Sequence, residues 1–254
     1  MNKDTTRQWV NVLMTLMALT VNGLANALPL NGQNTGAISD RFKVFFVPAG
    51  YVFAIWGVIY IGLIAFAVYQ ALPAQRANPR LRSIGYLYAL SCLANSVWIF
   101  MWHFNHFTVS VLVMLVLLVS LLAIYLRLDI GRAAEHRAER WCVDIVFSIY
   151  LGWITVATIA NVTDALDNVG WSGWGIAPEM WAVIMLVVAL LVTIAMMATR
   201  RDIAYALVIV WATIGIAVKQ AATAQVANVA WIVAAVVVVG LVYAITRRGS
   251  LVRG

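Results

Sequence analysis

The sequence has few charged residues for its length. Only 11% of its 254 residues are charged, whereas 64% are apolar. A soluble domain usually carries about 25% charged and about 45–50% apolar residues, so this chain cannot cover a water-exposed surface. The composition therefore excludes a disordered, collagen-like or water-soluble protein. It predicts a polytopic membrane protein, because each helical crossing of a bilayer needs roughly 20 mostly apolar residues.

Cysteines and the sequence motifs of enzymes are also scarce. Cys92 and Cys142 lie in or beside apolar runs, so we expect packing residues and no disulfide scaffold. The sequence contains no phosphate-binding loop, nucleophile elbow or Ser–His–acid spacing. His103 and His106 are three residues apart, but structural zinc needs four ligands and no cysteine or acid lies near them. We therefore expect neither an enzyme nor a metal site.

Eight apolar stretches, without charge apart from Asp144, predict an all-α protein with eight transmembrane helices, since a helix pairs its own backbone groups inside a bilayer. The polar residues 103–106 predict a tight turn between the third and fourth helices. The predicted spans are 9–28, 49–70, 84–102, 108–126, 141–160, 180–198, 203–218 and 228–246. Tryptophans at predicted helix ends, expected to anchor the helices at the membrane interface, are Trp9, Trp102, Trp141 and Trp181.

The basic residues fall mostly on one side of this predicted topology. With alternating helices, all but three of the 17 Lys and Arg residues lie on one side, and the exceptions are Arg41, Lys43 and Lys219. Cytoplasmic loops carry such an excess, so we expect both termini in the cytoplasm, at a bacterial inner membrane. The net charge of +7 therefore indicates topology and not a nucleic-acid partner.

One acid, Asp144, lies well inside a predicted span. Arg140 is one helical turn away, so an ion pair within the helix accounts for this charge. A proton relay would need a second buried acid, and the predicted spans contain none.

Indole and carboxamide side chains recur at helix-face spacing in these spans. Asn95 and Trp98 share a face of the third helix, and Trp153, Ala157 and Asn161 share a face of the fifth. An amide in hydrocarbon needs a partner on another helix or a ligand, and aromatic walls with a few polar groups are typical of small-molecule pockets. Helix packing and ligand binding both remain open from these residues alone.

Three segments, in chain order, carry a family resemblance. They are PAGYVFAIWGVIY at 48–60, LANSVW at 93–98 and YLGWITVATIAN at 150–161. They resemble the second, third and fifth helices of the tryptophan-rich sensory protein family, TspO, whose mitochondrial members are called translocator proteins or peripheral benzodiazepine receptors. The resemblance covers about residues 9–165.

This resemblance implies a five-helix bundle, often dimeric, whose pocket is closed by the loop between the first two helices, here residues 31–47. Family members bind porphyrins and related tetrapyrroles, and some bind sterols or isoquinoline-type drugs. Arg41 or Lys43 in the loop would then meet a propionate of the ligand. The positions that correspond to the family's pocket, core or aromatic positions are Tyr51, Phe53, Trp56, Tyr60, Asn95, Trp98, Trp153, Ala157 and Asn161.

The chain departs from the family pattern at several positions of the implied pocket. Ala49, Tyr51 and Ser91 replace a proline, a tryptophan and a glutamine, and the pair Ala54 and Ile55 replaces Gly-Pro. Fewer indole and polar groups would therefore line this pocket.

Residues 166–254 lie beyond the resemblance and predict a three-helix transmembrane extension to the five-helix unit of residues 1–165. The first functional hypothesis is a sensory or regulatory protein that binds a flat hydrophobic ligand such as a tetrapyrrole, a lipid or a quinone. The second is an accessory subunit that docks through the added helices onto a larger membrane complex, such as a photosynthetic pigment–protein complex. A small-molecule transporter is a third hypothesis, although no inverted repeat is visible.

Overall fold

The computed structural model describes residues 2–28, 30–133 and 136–251, with side chains up to residue 246. Arg247, Arg248 and Arg253, which contribute to the predicted charge bias, lie outside the described side chains. The long helices in the described ranges are α1 (Lys3–Ala27), α2 (Ile55–Ala71), α3 (Leu87–His103), α4 (Phe107–Arg127), α5 (Ile145–Asn168), α6 (Pro178–Arg200), α7 (Ile203–Lys219) and α8 (Ala224–Leu251).

Most of these helices have the length and composition of membrane spans, which confirms an all-α integral membrane protein. Six described helical segments are apolar and long enough to cross a membrane. They are Lys3–Ala27, Gly50–Ala71, Phe107–Arg127, Arg137–Asn168, Pro178–Arg200 and Ala224–Thr246. The helices α3 and α7 have 17 residues each. The count of eight crossings stays a prediction.

The first five helices form a closed ring. α1 lies against α2 and α3, α3 against α4, α4 against α5, and α5 returns to α2. α7 lies against α5 from outside this ring and also contacts α6 and α8. One apolar cluster extends from Ala18 in α1 to Val233 in α8, so the added helices share a core with the ring. The division at residue 165 stays a prediction.

A glycine brings α5 and α7 close together. A Cβ atom at Gly152 would lie 3.1 Å from Cβ of Val208 and 3.3 Å from the carbonyl oxygen of Tyr205. A side chain at this position would have to displace these neighbours by a few tenths of an ångström, so glycine favours the close approach of the two backbones. The three-helix extension is therefore held at the ring by backbone contact as well as by apolar side chains.

The helix α5 continues further than predicted. The predicted span ends at residue 160, whereas α5 ends at Asn168 and follows a π-helical turn, Arg140–Asp144. Asn161 and Asp164 interrupt the apolar pattern, yet both are buried against other helices. Because these polar side chains face protein and not lipid, hydropathy alone places the end of the helix too early.

The charge of Asp144 is compensated across helices. Arg80, on the short helix Pro79–Ser83, donates from Nη2 to Oδ1 of Asp144 and from Nη1 to Oε1 of Glu139, both at 2.9 Å. The prediction assigned this charge to Arg140 on the same helix, so it missed the ion pair that joins α5 to the segment between α2 and α3. The turn at residues 103–106 is confirmed, since α3 ends at His103 and α4 begins at Phe107.

A glycine in α7 provides a test of this packing. A Cβ atom at Gly215 would overlap Cγ2 of Val52 and lie 3.1 Å from Cβ of Pro48. We expect Gly215→Ala to lower the stability of the protein by about 1–3 kcal/mol, the usual cost of overpacking. Thermal unfolding in detergent, followed by tryptophan fluorescence, measures the change.

The matched control is Gly23→Ala in α1, where a Cβ atom would meet nothing within 4 Å. We expect this variant to melt at or above the wild-type temperature, because alanine favours helix over glycine. Equal melting temperatures for the two variants would contradict close packing at Gly215.

Candidate functional site

A small aromatic cavity lies between α2, α3 and α5, beneath the segment that joins α1 to α2. Its volume is about 40 Å³. Five aromatic residues line it, namely Phe53, Trp56, Trp98, Trp102 and Trp153. The other lining residues are Thr35, Ser39, Pro48, Val156, Ala157, Ala160, Asn161 and Asp164.

The aromatic rings of the cavity pack edge against face or in stacks. The ring of Trp153, which is only 2% exposed, meets Phe53 and Trp56 edge-on at centroid distances of 5.7 and 6.3 Å. Trp98 and Trp102 stack at 5.6 Å with an angle of 19° between their planes. Both arrangements are favourable for aromatic pairs, so the walls of the cavity are closely packed and present flat apolar surfaces.

Two buried polar atoms of the cavity residues have no hydrogen-bond partner within the described part of the chain. They are Nε1 of Trp153 and Oδ1 of Asp164. The other carboxylate oxygen of Asp164 accepts a 3.4 Å hydrogen bond from Oγ of Ser39. Buried donors and acceptors are nearly always paired, and an unpaired one costs about 1–3 kcal/mol. The residues that line the cavity therefore include one unpaired donor and one unpaired acceptor.

The carboxamides that the sequence suggested as ligand contacts instead join helices. Nε1 of Trp98 donates to Oδ1 of Asn161 at 3.1 Å, and Nδ2 of Asn161 donates to Oγ of Ser110 at 2.8 Å. Nδ2 of Asn22 donates to Oδ1 of Asn95 at 2.6 Å. These bonds connect α3 to α5, α5 to α4, and α1 to α3. Helix packing therefore accounts for Asn161 and for Oδ1 of Asn95, whereas Nδ2 of Asn95 has no hydrogen-bond partner among the described residues.

The structure brings together six of the nine predicted site residues. Those that line the cavity are Phe53, Trp56, Trp98, Trp153, Ala157 and Asn161. Tyr51 is 47% exposed and meets Trp211 of α7 edge-on, Tyr60 stacks on Trp56, and Asn95 pairs with Asn22. These three residues lie outside the lining, and whether any of the nine binds a ligand stays a prediction.

Sequence reasoning missed Asp164 and misplaced Trp102. Asp164 is 1% exposed and lies about three helical turns after Trp153 on the same face of α5. That spacing could have revealed it, but the predicted span ended before it. Trp102 was expected at the membrane interface, whereas it is 3% exposed and lines the cavity. The prediction that no second acid is buried is wrong, because the predicted fifth span ended before Asp164.

The segment 30–49, which we call the lid, covers the cavity and is fixed to α3 by hydrogen bonds. Nε2 of His103 lies 3.1 Å from Oγ1 of Thr35, and Nδ1 lies 3.3 Å from the carbonyl oxygen of Leu30. The indole N–H of Trp102 donates to the carbonyl of Thr35 at 3.2 Å. The end of α3 therefore holds the first half of the lid.

The helix α7 holds the second half of the lid. Nζ of Lys219 pairs with Oδ1 of Asp40 at 2.6 Å, and the backbone N–H of Ala49 donates to the carbonyl of Gly215 at 3.1 Å. Just after the lid, the carbonyl of Val52 accepts a 3.0 Å hydrogen bond from Nε1 of Trp211. A helix outside the five-helix ring thus fixes the cover of the cavity.

The basic side chains of the lid do not reach the cavity. Arg41 donates to Oδ1 of Asn105 at 2.6 Å and lies over the ring of Phe107. Lys43 is exposed, and neither residue belongs to the lining. Whether Arg41 or Lys43 meets a ligand carboxylate therefore stays a prediction.

A model of the family described as TSPO-like protein matches residues 8–243 of the chain. The match continues beyond residue 165, where the similarity of the three motifs ends, and includes α6, α7 and most of α8. No curated protein and no solved structure matches the chain. Since the three motif segments, the ring of five helices and most of the length all agree with this match, the chain belongs to the TSPO-like protein family.

Proposed function

We propose that this membrane protein binds a planar, largely apolar ligand in the aromatic cavity and has a sensory or regulatory role. The unpaired Nε1 of Trp153 and Oδ1 of Asp164, in the lining of one cavity with five aromatic side chains, are the observation that carries the proposal. A ring that carries both an acceptor and an N–H or O–H donor would satisfy the two atoms. Its faces would lie against the indole rings.

The size of the cavity implies that the lid moves when a large ligand binds. Pockets for drug-sized ligands measure about 300–1,000 Å³, whereas this cavity measures about 40 Å³. A tetrapyrrole therefore enters only when the lid is displaced from α3 and α5. The lid is fixed by hydrogen bonds, each worth about 0.5–1.5 kcal/mol, and by the side chains of Ile38, Phe42 and Phe46, which pack in or against the apolar core. The binding energy of the ligand must offset the loss of both kinds of contact.

The contact between Ser39 and Asp164 provides a route from binding to a signal. Ser39 belongs to the lid, and its hydroxyl bonds the same carboxylate that offers its second oxygen to the cavity. A ligand that hydrogen-bonds Asp164 competes with Ser39 for this acid. Occupation of the cavity would thus change the position of the lid, which a partner protein or the membrane surface can detect.

The chemistry of the lining also narrows the choice of ligand. The unpaired oxygen of Asp164 favours a ligand N–H group, such as that of a pyrrole, and the carboxylates of a porphyrin would point towards the mouth of the cavity. We also propose that the protein lies in a bacterial inner membrane with both termini in the cytoplasm. Docking onto a larger membrane complex through α6, α7 and α8 stays the alternative prediction, and transport stays the third.

Replacement of Trp153 tests the proposed site. We expect Trp153→Phe to raise the dissociation constant for protoporphyrin IX about tenfold, because it removes one donor and part of the stacking surface. Quenching of tryptophan fluorescence and the shift of the porphyrin absorption band, measured on the full chain in detergent, give the constant.

The matched control is Trp231→Phe, which removes an exposed tryptophan of α8. We expect it to leave the constant unchanged. Equal constants for the two variants would remove Trp153 from the site, and absence of porphyrin binding by the wild-type protein would contradict a tetrapyrrole ligand.

Replacement of His103 tests the movement of the lid. His103→Ala deletes both ring contacts with Thr35 and Leu30, so we expect amide hydrogen exchange in residues 30–48 to accelerate about tenfold, as a loss of about 1.4 kcal/mol implies. The association rate of protoporphyrin IX should rise with it. Mass spectrometry of exchanged peptides and stopped-flow fluorescence measure the two rates.

His106→Ala serves as the control, because His106 is exposed and lies at the start of α4 without a side-chain capping bond. We expect wild-type exchange and association rates for it. Faster exchange in His103→Ala without faster association would show that the ligand does not enter beneath the lid.

A further inference from the structure

A second, larger depression lies outside the five-helix ring, between α2, α5 and α7. Its volume is about 1250 Å³. It is lined from the segment 130–133 at one end to Ala54 and Trp211 at the other, and it shares no lining residue with the aromatic cavity. We call this depression the groove.

One end of the groove is basic. Arg137, Arg140 and Arg201 line it, and all three are exposed. Arg137 and Arg140 come from the chain just before α5, and Arg201 comes from the turn between α6 and α7. Among the residues with described side chains, none of these arginines has an ion pair or a side-chain hydrogen bond. The groove thus gathers three cations from two segments.

The acids of the groove do not need these arginines as partners. Asp144 pairs with Arg80 at 2.9 Å. Oδ2 of Asp202 accepts hydrogen bonds from the hydroxyls of Tyr125 and Ser148 at 2.8 and 2.7 Å, and Oδ1 accepts from the backbone N–H of Tyr205 at 3.0 Å. Because both carboxylates have their own donors, the three guanidinium groups remain available for an anion.

The rest of the groove is apolar. The side chains of α5 and α7 that form its walls include Ile145, Ile149 and Leu207, and Val58 of α2 faces them. Trp141 lies at the basic end and is exposed, which is the usual place of an aromatic side chain at the level of lipid headgroups. Cations therefore occupy the headgroup level of the groove, and branched aliphatic side chains occupy its deeper part.

We propose that the groove binds an anionic phospholipid. Its phosphate lies among Arg137, Arg140 and Arg201, and an acyl chain runs along α5 and α7 towards Trp211. Guanidinium groups recognise phosphate oxygens through paired, charge-assisted hydrogen bonds. Basic pockets between transmembrane helices on the cytoplasmic side are typical sites for anionic headgroups. Charge complementarity favours such a lipid over a neutral one, and the apolar walls favour it over a free phosphate ion.

Lipid binding to the full chain tests this proposal. Native mass spectrometry in detergent counts the molecules of phosphatidylglycerol and phosphatidylcholine retained from an equimolar mixture. We expect the wild-type protein to retain phosphatidylglycerol preferentially. The triple variant Arg137→Gln, Arg140→Gln and Arg201→Gln should lower this preference about tenfold or more, since it removes the charge-assisted hydrogen bonds to the phosphate. Each single variant is measured as well, in case the triple variant does not fold.

The control variant carries Lys3→Gln, Arg76→Gln and Arg127→Gln, which remove the same charge from exposed residues outside the groove. We expect it to keep the wild-type preference. Equal preferences in the two triple variants, or equal retention of both lipids by the wild type, would overturn the proposal. Inorganic phosphate that displaces phosphatidylglycerol at millimolar concentration would also overturn it, because the site would then recognise a free anion.

Discussion

The packing of α5 depends on one constraint, which is that polar groups inside a bilayer must find partners within the protein. α5 lies against α2, α4 and α7. Its polar side chains form hydrogen bonds with residues of other helices and of the lid. Asn161 bonds Trp98 and Ser110, and Ser148 bonds Asp202 at the start of α7. On α5 the constraint is left unmet at Nε1 of Trp153 and Oδ1 of Asp164. Among the described residues, unpaired atoms also occur at Asn11 and Asn95, but Trp153 and Asp164 both line one cavity, which makes that cavity the candidate site.

The sequence predicts the helices better than it predicts their partners. Hydropathy located the eight long helices to within a few residues at most ends, because membrane-facing surfaces are uniformly apolar. It failed at Asp164 and Asn161, where the helix turns a polar face towards protein and hydropathy ends the span too early. The ion pair between Asp144 and Arg80 joins residues 64 positions apart, and no periodicity reveals such a contact.

The motif positions show the same limit within the site. Helical spacing correctly placed Trp153, Ala157 and Asn161 on one face of α5, since that depends only on geometry along one helix. Helical spacing could not tell whether each amide binds a ligand or joins two helices. In the structure, Asn161 and Asn95 both hydrogen-bond side chains of other helices. Tyr51 lies in the 3-10 turn Gly50–Ala54, ahead of α2, where its ring meets α7 and not the cavity.

α7 connects the lid with the groove. The indole of Trp211 lines the groove, and its N–H holds the carbonyl of Val52 just after the lid. An acyl chain in the proposed lipid site would pack against this indole. It would thereby link the contents of the groove to the backbone just after the lid through one side chain. The helices that follow the five-helix ring thus supply a wall of one site and an anchor for the cover of the other, which a purely lipid-facing extension would not do.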